Sequence, residues 1–348
     1  MNPYVLTALI SSLGIGTTLT FASSHWLLAW MGLEINTLAI IPLMTQQHHP
    51  RAVEAATKYF LTQATAAAMI LFASTTDAWM YGQWDILQIS HPLSTLTVML
   101  ALALKIGLAP AHFWLPEVLQ GLDLTTGLIL STWQKLAPFA LIYQIAPNTN
   151  PTLLTTLGIT SALVGGWGGL NQTQLRKILA YSSIAHLGWM IIILHFMPNL
   201  TLLNLTIYIL TTSAMFLTAK TVSATKINTL ATAWTKTPAL TALTMLTLLS
   251  LGGLPPLTGF MPKWLILQEL TKQDLPLVAT IMAMSALLSL FFYLRLCYTM
   301  TLTISPNTNN STSPWRFKPT QTTLPMAITL ITSLTLLPIT PVIMTLSS

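Results

Sequence analysis

The sequence predicts an all-α polytopic membrane protein with about eleven transmembrane helices. Of its 348 residues, 53% are hydrophobic and only 6% are charged, whereas a soluble domain carries about a quarter charged residues. The mean hydropathy is +0.67. Apolar segments of membrane-crossing length follow one another along the chain, and the few charged residues are scattered among them. This pattern places most of the protein within a bilayer.

A helix needs about 20 apolar residues to cross the hydrocarbon core of a bilayer. By this criterion the first part of the chain contains five predicted spans, at residues 3–22, 25–45, 54–74, 94–120 and 124–145. The remainder contains six, at residues 152–169, 175–195, 200–220, 238–271, 275–302 and 323–346. Glycine and proline interrupt the fourth span, and the ninth is too long for one straight helix. We therefore expect a broken helix at both places.

The loop charges predict the orientation. Loops on one side carry basic residues, namely Arg51, Arg176, Lys177, Lys226, Lys236, Arg316 and Lys318. The opposite loops carry Asp77, Asp85, Lys272 and Asp274. Because basic loops stay on the cytoplasmic or matrix side, the N-terminus is predicted on that side and the C-terminus across the membrane.

Several classes of protein are excluded at this stage. The net charge is +6, but no basic run follows a predicted surface, so a nucleic-acid partner is not expected. Cys297 is the single cysteine, which excludes an intrachain disulfide framework and a CxxC cluster. Neither a G-x-G-x-x-G fingerprint nor a P-loop is present, so this chain is not expected to bind NADH or ATP. The adjacent His48 and His49 are weak evidence for a metal site.

An internal repeat relates the two interrupted spans. The segments "GLAPAHFWLP" (107–116) and "GLPPLTGFMP" (253–262) share Gly-Leu-x-Pro and a second proline six residues later. Five spans separate them, and an odd number per repeat gives the copies opposite orientations. The pattern predicts inverted five-helix repeats at 3–145 and 152–302 within one membrane domain, followed by an additional C-terminal helix at 323–346. The alternative is that glycine and proline are simply frequent in membrane helices.

Four ionisable residues lie near the centre or the break of a predicted span: Glu34, Lys105, Lys135 and Lys263. Each costs about 2.5–3.5 kcal/mol at the middle of a membrane helix on insertion scales. A structural salt bridge between Glu34 and Lys105 is the main alternative to a functional role. Such a pair is often no more stable than well-packed apolar residues, so we favour function.

The four charges suit proton transfer. Burial disfavours the charged form of a lysine, and a nearby carboxylate favours it. A lysine that gains and loses a carboxylate partner can therefore take up and release a proton. We expect Glu34 to switch Lys105, Lys135 to receive the proton, and Lys263 at the second break to pass it out.

Two histidines are candidates for the same path. His112 lies in the first break and His186 lies in the middle of the seventh span. An imidazole titrates near neutral pH, so both can relay protons. For each of them, a hydrogen-bonded role in the core is an open alternative.

Five segments carry a family resemblance: "WMGLEINTLAIIPL", "ALKIGLAPAHFWLPEV", "LSTWQKLAP", "KILAYSSIAHLGWM" and "SLGGLPPLTGFMPKW". They resemble the subunit 2 family of vertebrate mitochondrial NADH:ubiquinone oxidoreductase, respiratory complex I. The resemblance runs the length of the chain. That family belongs to the antiporter-like membrane-arm subunits, which are related to multi-subunit cation/proton antiporters. It implies proton translocation through two inverted five-helix repeats with two discontinuous helices.

The resemblance also implies roles for individual residues. Glu34 and Lys105 match the coupling pair of the family, Lys135 its central lysine, and Lys263 its exit-side residue. His186 matches a position on the polar axis. These assignments agree with those made from the residues alone.

For the protein as a whole, the resemblance implies a site in the mitochondrial inner membrane with a matrix N-terminus. Its implied partners are other membrane-arm and accessory subunits and membrane lipids. No cofactor is expected in this chain, because NADH, FMN, iron–sulfur clusters and ubiquinone belong to other subunits. Bacterial relatives carry three further N-terminal helices, so another subunit or lipid is expected to cover the face left open here.

Two other functions remain open on the sequence. A free-standing cation/proton antiporter uses a similar charged axis, but only Glu34 offers a central carboxylate for a cation. The second alternative is a scaffold subunit that does not pump protons. Such a subunit would gain stability by losing the four central charges, so the presence of all four argues against this role.

Overall fold

The computed structural model describes residues 2–46, 48–235, 237–302 and 323–347. Three of the basic loop residues used above, Lys236, Arg316 and Lys318, lie outside these ranges. The described residues form helices and connecting turns without a β-strand, as the composition predicts. The chain divides into two compact units, Met1–Leu157 and Gly158–Ser348.

The first unit is built from seven helices in its described residues. They are α1 (Pro3–Ala22), α2 (Trp26–Met44), α3 (Pro50–Tyr81), α4 (Pro92–Ile106), α5 (Trp114–Gly121), α6 (Leu124–Ser131) and α7 (Trp133–Ile145). Helices α1 and α2 pack closely because both present glycine at their contact. A Cβ atom added to Gly16 would lie 2.9 Å from the carbonyl oxygen of Gly32. Small residues permit this approach in membrane helices.

Helix α8 (Pro151–Gly168) begins in the first unit and continues into the second. The described part of the second unit then contains α9 (Leu175–Ile193), α10 (Pro198–Val222), α11 (Ile227–Ala231), α12 (Pro238–Gly252), α13 (Phe260–Lys272), α14 (Pro276–Thr301), α15 (Leu324–Thr335) and α16 (Thr340–Ser347). Its core includes Trp189 and Ile192 of α9, Ile266 and Leu270 of α13, and Met282 of α14.

Local chemistry explains where many helices start. Proline is the first residue of α1, α3, α4, α8, α10, α12 and α14. Its fixed φ suits the first turn of a helix, where its missing N–H would have no intrahelical partner anyway.

In the described residues, four helices are long and apolar enough to cross a membrane by length and composition: α1, α2, α10 and α14. A fifth span is counted if α15 and α16, which are bent by 64° at Leu336, are taken together. Helices α4 and α12 are also apolar, but each has 15 residues. Both end at a break, so neither half of these segments reaches the length of a full span.

Both predicted breaks are present, and the two have the same local form. Helix α4 ends before Gly107 (φ 87°) and α12 ends before Gly253 (φ 80°). The N–H of Leu108 donates to the carbonyl of Ala103 at 2.9 Å, and that of Leu254 donates to Leu249 at 3.2 Å. A left-handed residue closes the helix this way, and glycine adopts this conformation without steric cost.

The predicted third and fifth spans need correction. Helix α3 runs to Tyr81, so Asp77 lies inside a helix rather than in a loop. Its buried carboxylate accepts a hydrogen bond from the N–H of His91 at 3.2 Å, which explains why a charged residue is tolerated there. The fifth span is interrupted at Thr132, between α6 and α7. Thr132 Oγ1 donates to the carbonyl of Leu128 at 2.7 Å, a side-chain contact that often bends helices.

Threonine and serine hydroxyls inside the helices are mostly bonded to their own helix. Thr20 donates to the carbonyl of Thr17 at 2.8 Å, Thr244 to that of Thr241 at 2.7 Å, and Ser182 to that of Leu179 at 2.8 Å. Each hydroxyl uses a carbonyl three residues earlier. Burial of these side chains therefore leaves no polar donor without an acceptor.

Candidate functional site

The first unit places Lys105 opposite Glu34. Lys105 lies in the last turn of α4, with its side chain 2% exposed, and Glu34 lies in the middle of α2, with its side chain 22% exposed. The distance from Lys105 Nζ to Glu34 Oε1 is 3.9 Å, which is too long for a direct hydrogen bond. Thr37 Oγ1 donates to Glu34 Oε2 at 3.1 Å and orients the carboxylate. The ammonium and the carboxylate are within ion-pair distance, but no direct hydrogen bond joins them.

A cavity is shared by Lys105 and Lys135. The cavity has a volume of about 20 Å³, and Lys105 and Lys135 both line it, together with Asn36, Gln63 and Gln134. This volume is sufficient for about one water molecule. Lys135 is buried in the first turn of α7, directly after the interruption at Thr132. The site therefore brings two buried lysines to one small polar space.

Neutral side chains donate hydrogen bonds to backbone carbonyls in the last turn of α4. Trp114 Nε1 donates to the carbonyl of Leu104 at 3.0 Å, and Gln63 Nε2 donates to that of Lys105 at 3.4 Å. The last carbonyls of a helix have no intrahelical partner. Because Trp114 and Gln63 supply donors, these two carbonyls are hydrogen-bonded without the ammonium of Lys105, which faces Glu34 at 3.9 Å.

His112 is buried within the first break, between α4 and α5. Its Nδ1 lies 3.2 Å from the carbonyl oxygen of Pro110, and its ring packs on Phe113 with centroids 4.2 Å apart. His112 is not among the residues that line the cavity between Lys105 and Lys135. It is therefore near the ion pair in sequence but outside the polar space that the two lysines share.

The second unit places Lys263 at the end of a different broken helix. Lys263 lies in the first turn of α13 and reaches back across the break. Its Nζ donates to the carbonyls of Gly252 at 2.8 Å and Leu251 at 3.3 Å. These carbonyls form the negative end of the α12 dipole, which favours a cation. No carboxylate lies within 4 Å of Lys263 in the described part of the chain.

His186 belongs to the same polar space as Lys263. Both residues line a second cavity, of about 10 Å³, with Asn204, Tyr208 and Ser250. The rings of His186 on α9 and Tyr208 on α10 lie 5.7 Å apart. The second unit thus also combines a buried lysine with a small cavity lined by polar groups, here including an imidazole.

Sequence reasoning missed the uncharged polar residues of both cavities. Asn36, Gln63 and Gln134 in the first cavity and Asn204 in the second lie in apolar helices. An amide in an apolar span is itself a signal, because an unsatisfied amide is expensive in hydrocarbon. Sequence reasoning also missed Arg295, a charged residue within α14.

The side chains assembled at these sites are of types that can exchange protons. Among the described residues, no group of three or more His, Cys, Asp or Glu side chains is placed to hold a metal ion. The side chains assembled are lysines, one carboxylate and an imidazole, all of which exchange protons, beside space for water.

Comparison with known families agrees with this geometry. Residues 23–289 match the sequence model of the family described as "NADH:quinone oxidoreductase/Mrp antiporter, TM". Residues 290–344 match the family described as "NADH dehydrogenase subunit 2 C-terminus". The two matches together span the site residues of both units.

Comparison with individual proteins points to the same family. The chain is 74% identical to NADH-ubiquinone oxidoreductase chain 2 of Carassius auratus, over 100% of both chains. It is 75% identical to the protein of that name from Salmo salar, over 99% of both.

Solved structures show the same fold. A chain of respiratory complex I from Thermus thermophilus matches with a TM-score of 0.88 and 27% identity, over 99% of this chain and 80% of that one. A chain of the Mrp complex of a Dietzia species matches with a TM-score of 0.82 and 15% identity, over 97% and 76% respectively, which shows the fold alone. The chain therefore belongs to the NADH:quinone oxidoreductase/Mrp antiporter transmembrane family, as a member of its NADH-ubiquinone oxidoreductase chain 2 group.

Proposed function

We propose that the chain translocates protons as a core membrane-arm subunit of NADH:ubiquinone oxidoreductase in the mitochondrial inner membrane. Relatives at 74–75% identity over nearly their full length carry the name of that enzyme. The observation that carries the proposal is the cavity shared by Lys105 and Lys135, with Glu34 3.9 Å from Lys105. Buried charges of this kind are expensive in a membrane and mark ion pathways.

In the proposed topology the chain crosses the membrane eleven times. The four broken or bent segments α4–α5, α6–α7, α12–α13 and α15–α16 each count as one crossing, and so does the longer α3. The N-terminus lies in the matrix and the C-terminus in the intermembrane space, because the basic loops face the matrix. The two five-helix segments form inverted repeats, for which the matching glycine-closed breaks are the support.

In the first unit, Glu34 sets the charge of Lys105. When the carboxylate is ionised and close, it stabilises the ammonium; when the pair separates or Glu34 is neutralised, Lys105 releases its proton. The cavity then connects Lys105 to Lys135, which accepts the proton. His112 lies in the break outside this cavity, beside the carbonyl of Pro110, and its proposed part in the path rests on its position in the sequence.

In the second unit, Lys263 is the residue that passes the proton out. His186 shares its cavity and supplies a group that can exchange protons with it through water. The carbonyls of Leu251 and Gly252 stabilise the ammonium of Lys263 without a carboxylate. Release of the proton therefore does not require an ion pair to open at this end.

The redox chemistry belongs to other subunits in this proposal. NADH, FMN, iron–sulfur clusters and ubiquinone are bound elsewhere, and this chain acts as a non-redox part of the enzyme. Its partners are other membrane-arm and accessory subunits of complex I and membrane lipids, without nucleic acid. The free-standing antiporter is not favoured, because the relatives that match at high identity carry the name of the oxidoreductase.

The first test is a native gel of the source membrane in mild detergent, stained for NADH oxidation and probed for this chain. Co-migration with a very large NADH-oxidising band is expected. A small band without that activity would contradict the proposal and would point to the free antiporter.

The second test is Lys105→Ala in the assembled enzyme. Loss of a positioned proton-transfer group slows a reaction by about a hundredfold or more, so NADH-driven pumping into vesicles is expected to fall by that order. Lys58→Ala is the matched control, since Lys58 is 43% exposed and pairs with Glu54 and Glu117 at the surface. Normal pumping by a fully assembled Lys105→Ala enzyme would remove Lys105 from the path and would favour the scaffold alternative.

A further inference from the structure

Arg295 is a charged residue in an apolar helix that the proposed proton path does not use. It lies six residues before the last residue of α14, Thr301. Its guanidinium is half-buried, and Nη1 donates to the carbonyl of Leu170, just beyond the end of α8, at 2.8 Å. This bond uses one of the five N–H donors of the side chain. It also fixes the charge beside the end of α8 rather than leaving it free to reach into water.

Within the described ranges, none of the ion pairs includes Arg295. After Asp123 the sequence contains only two acidic residues, Glu269 and Asp274. Both precede Pro276, the first residue of α14, whereas Arg295 lies near its other end. At 1.5 Å per residue, the rise from Asp274 to Arg295 along the helix is about 30 Å. Arg295 therefore has no carboxylate partner among the described ion pairs, and an anion from outside the chain can serve as its counter-ion.

A groove beside Arg295 has the character of a lipid-chain site. It has a volume of about 370 Å³ and is lined by Phe291, Leu294, Arg295, Tyr298, Thr299 and Leu302. Its walls are largely apolar, and the exposed side chains of Phe291, Tyr298 and Leu302 follow one face of α14. Among its described lining residues, Arg295 is the one that carries a charge. An apolar groove with one cation at its edge complements an acyl chain that carries an anionic headgroup.

The depth of the Arg295 guanidinium in the membrane matches that of an anionic lipid headgroup. In the proposed topology α8 and α14 both end on the matrix side, so the carbonyl of Leu170 lies close to the headgroup level. Arg176 and Lys177, at the start of α9, follow on the same side of the membrane. Basic pockets between membrane helices on the matrix side bind anionic lipid headgroups.

We propose that this groove is a binding site for an anionic phospholipid, whose phosphate pairs with Arg295 and whose acyl chain lies along Phe291, Leu294 and Tyr298. The placement at headgroup level rests on the topology in the proposed function. The site itself is separate from the proton path, because none of its lining residues lines either polar cavity. A neighbouring protein subunit is the competing occupant.

The test uses the whole enzyme in its native membrane and two photoreactive lipids. Phosphatidylglycerol and phosphatidylcholine, each with a diazirine on one acyl chain, are added at equal amounts, and cross-linked residues are mapped by mass spectrometry. The anionic lipid is expected to label residues 291–302 about fivefold more than the zwitterionic lipid, the preference that one arginine near an anionic surface provides. High ionic strength should reduce this preference, because salt screens exposed charges.

Arg295→Gln should bring the ratio of the two lipids at residues 291–302 to about one, while the matched control Lys272→Gln, on α13, should leave it unchanged. Equal labelling by both lipids in the wild-type enzyme would overturn the proposal. Absence of lipid labels at these residues, with a cross-link from another subunit instead, would also overturn it and identify the groove as a protein interface. The wild-type comparison decides the question even if the variant fails to assemble. Proton pumping by the same preparation tests the proposed function separately.

Discussion

The two helix breaks of this protein share their backbone geometry but hold their lysines in different ways. Lys105 lies before its break, and Glu34 is 3.9 Å away. Lys263 lies after its break, and two backbone carbonyls of α12 accept its hydrogen bonds. At the first break, Trp114 and Gln63 donate to carbonyls in the last turn of α4, those of Leu104 and Lys105. The position of each lysine relative to the break thus decides whether its partner is a carboxylate or the backbone.

This difference has a consequence for control. A carboxylate can be neutralised or moved, so a lysine that depends on one can be switched. Backbone carbonyls are fixed and always present, so a lysine that depends on them has a constant environment. The first break is therefore suited to regulation by charge, and the second to a step that follows without its own switch.

The largest effect is expected from Lys263→Arg. Arginine retains the positive charge and the donors that satisfy the carbonyls of Leu251 and Gly252, but it does not release a proton in proteins. Assembly should stay normal while proton pumping falls by about a hundredfold, the usual contribution of a proton-transfer group. Pumping by reconstituted vesicles and a native gel measure the two properties. Retained pumping would show that Lys263 acts only as a fixed charge.

A smaller effect is expected from Glu34→Gln, which removes the carboxylate but leaves both lysines. Lys105 loses its charged partner, and pumping should fall by about tenfold, which corresponds to about 1.4 kcal/mol. In Glu34→Gln/Lys105→Ala the loss should equal that of Lys105→Ala alone, because the two residues act as a pair. Independent, multiplying losses in this double variant would contradict the ion-pair role.

The smallest effects are expected at the glycines that close the two breaks. Alanine at Gly107 or Gly253 must adopt a left-handed conformation, which costs about 1–2 kcal/mol. At Gly253 the added Cβ would also lie 2.8 Å from Cδ of Lys263, whereas at Gly107 it would meet the end of Leu115. Both variants should lower the temperature at which half of the assembled enzyme is lost, but only Gly253→Ala should also slow pumping.

Gly14→Ala is the control for these two variants, since a Cβ there meets nothing within 4 Å. Equal pumping by the Gly107→Ala and Gly253→Ala enzymes would show that the position of Lys263 does not depend on the break.

The sequence predicts the breaks and the buried charges because each is a local signal. A glycine followed by proline interrupts an apolar segment, and a lysine within such a segment is expensive wherever the helix packs. Glu34, Lys105, Lys135 and Lys263 stand out for this reason. Their roles in proton transfer stay predictions.

The features that sequence reasoning missed depend on distant partners. Asp77 is tolerated inside α3 because the N–H of His91 reaches it, and no local pattern announces that contact. At the interruption, the hydroxyl and the N–H of Thr132 both donate to the carbonyl of Leu128. Threonine hydroxyls elsewhere make the same contact inside unbroken helices, so it gives no signal in the sequence. Arg295 was overlooked because it lies near a predicted helix end, where a long basic side chain normally reaches water.

The hydroxyls that bond to their own helix have a consequence for how this chain enters a membrane during synthesis. When the threonine hydroxyls of a helix donate to carbonyls of the same helix, the helix can enter the membrane before its neighbouring helices are inserted. None of these hydroxyl donors then faces lipid without an acceptor. The charged residues lack this independence, because Lys105 has its partner on another helix. Since α2 precedes α4 along the chain, Glu34 is made before the lysine that needs it. The order of synthesis thus supplies the carboxylate before the lysine that it pairs with.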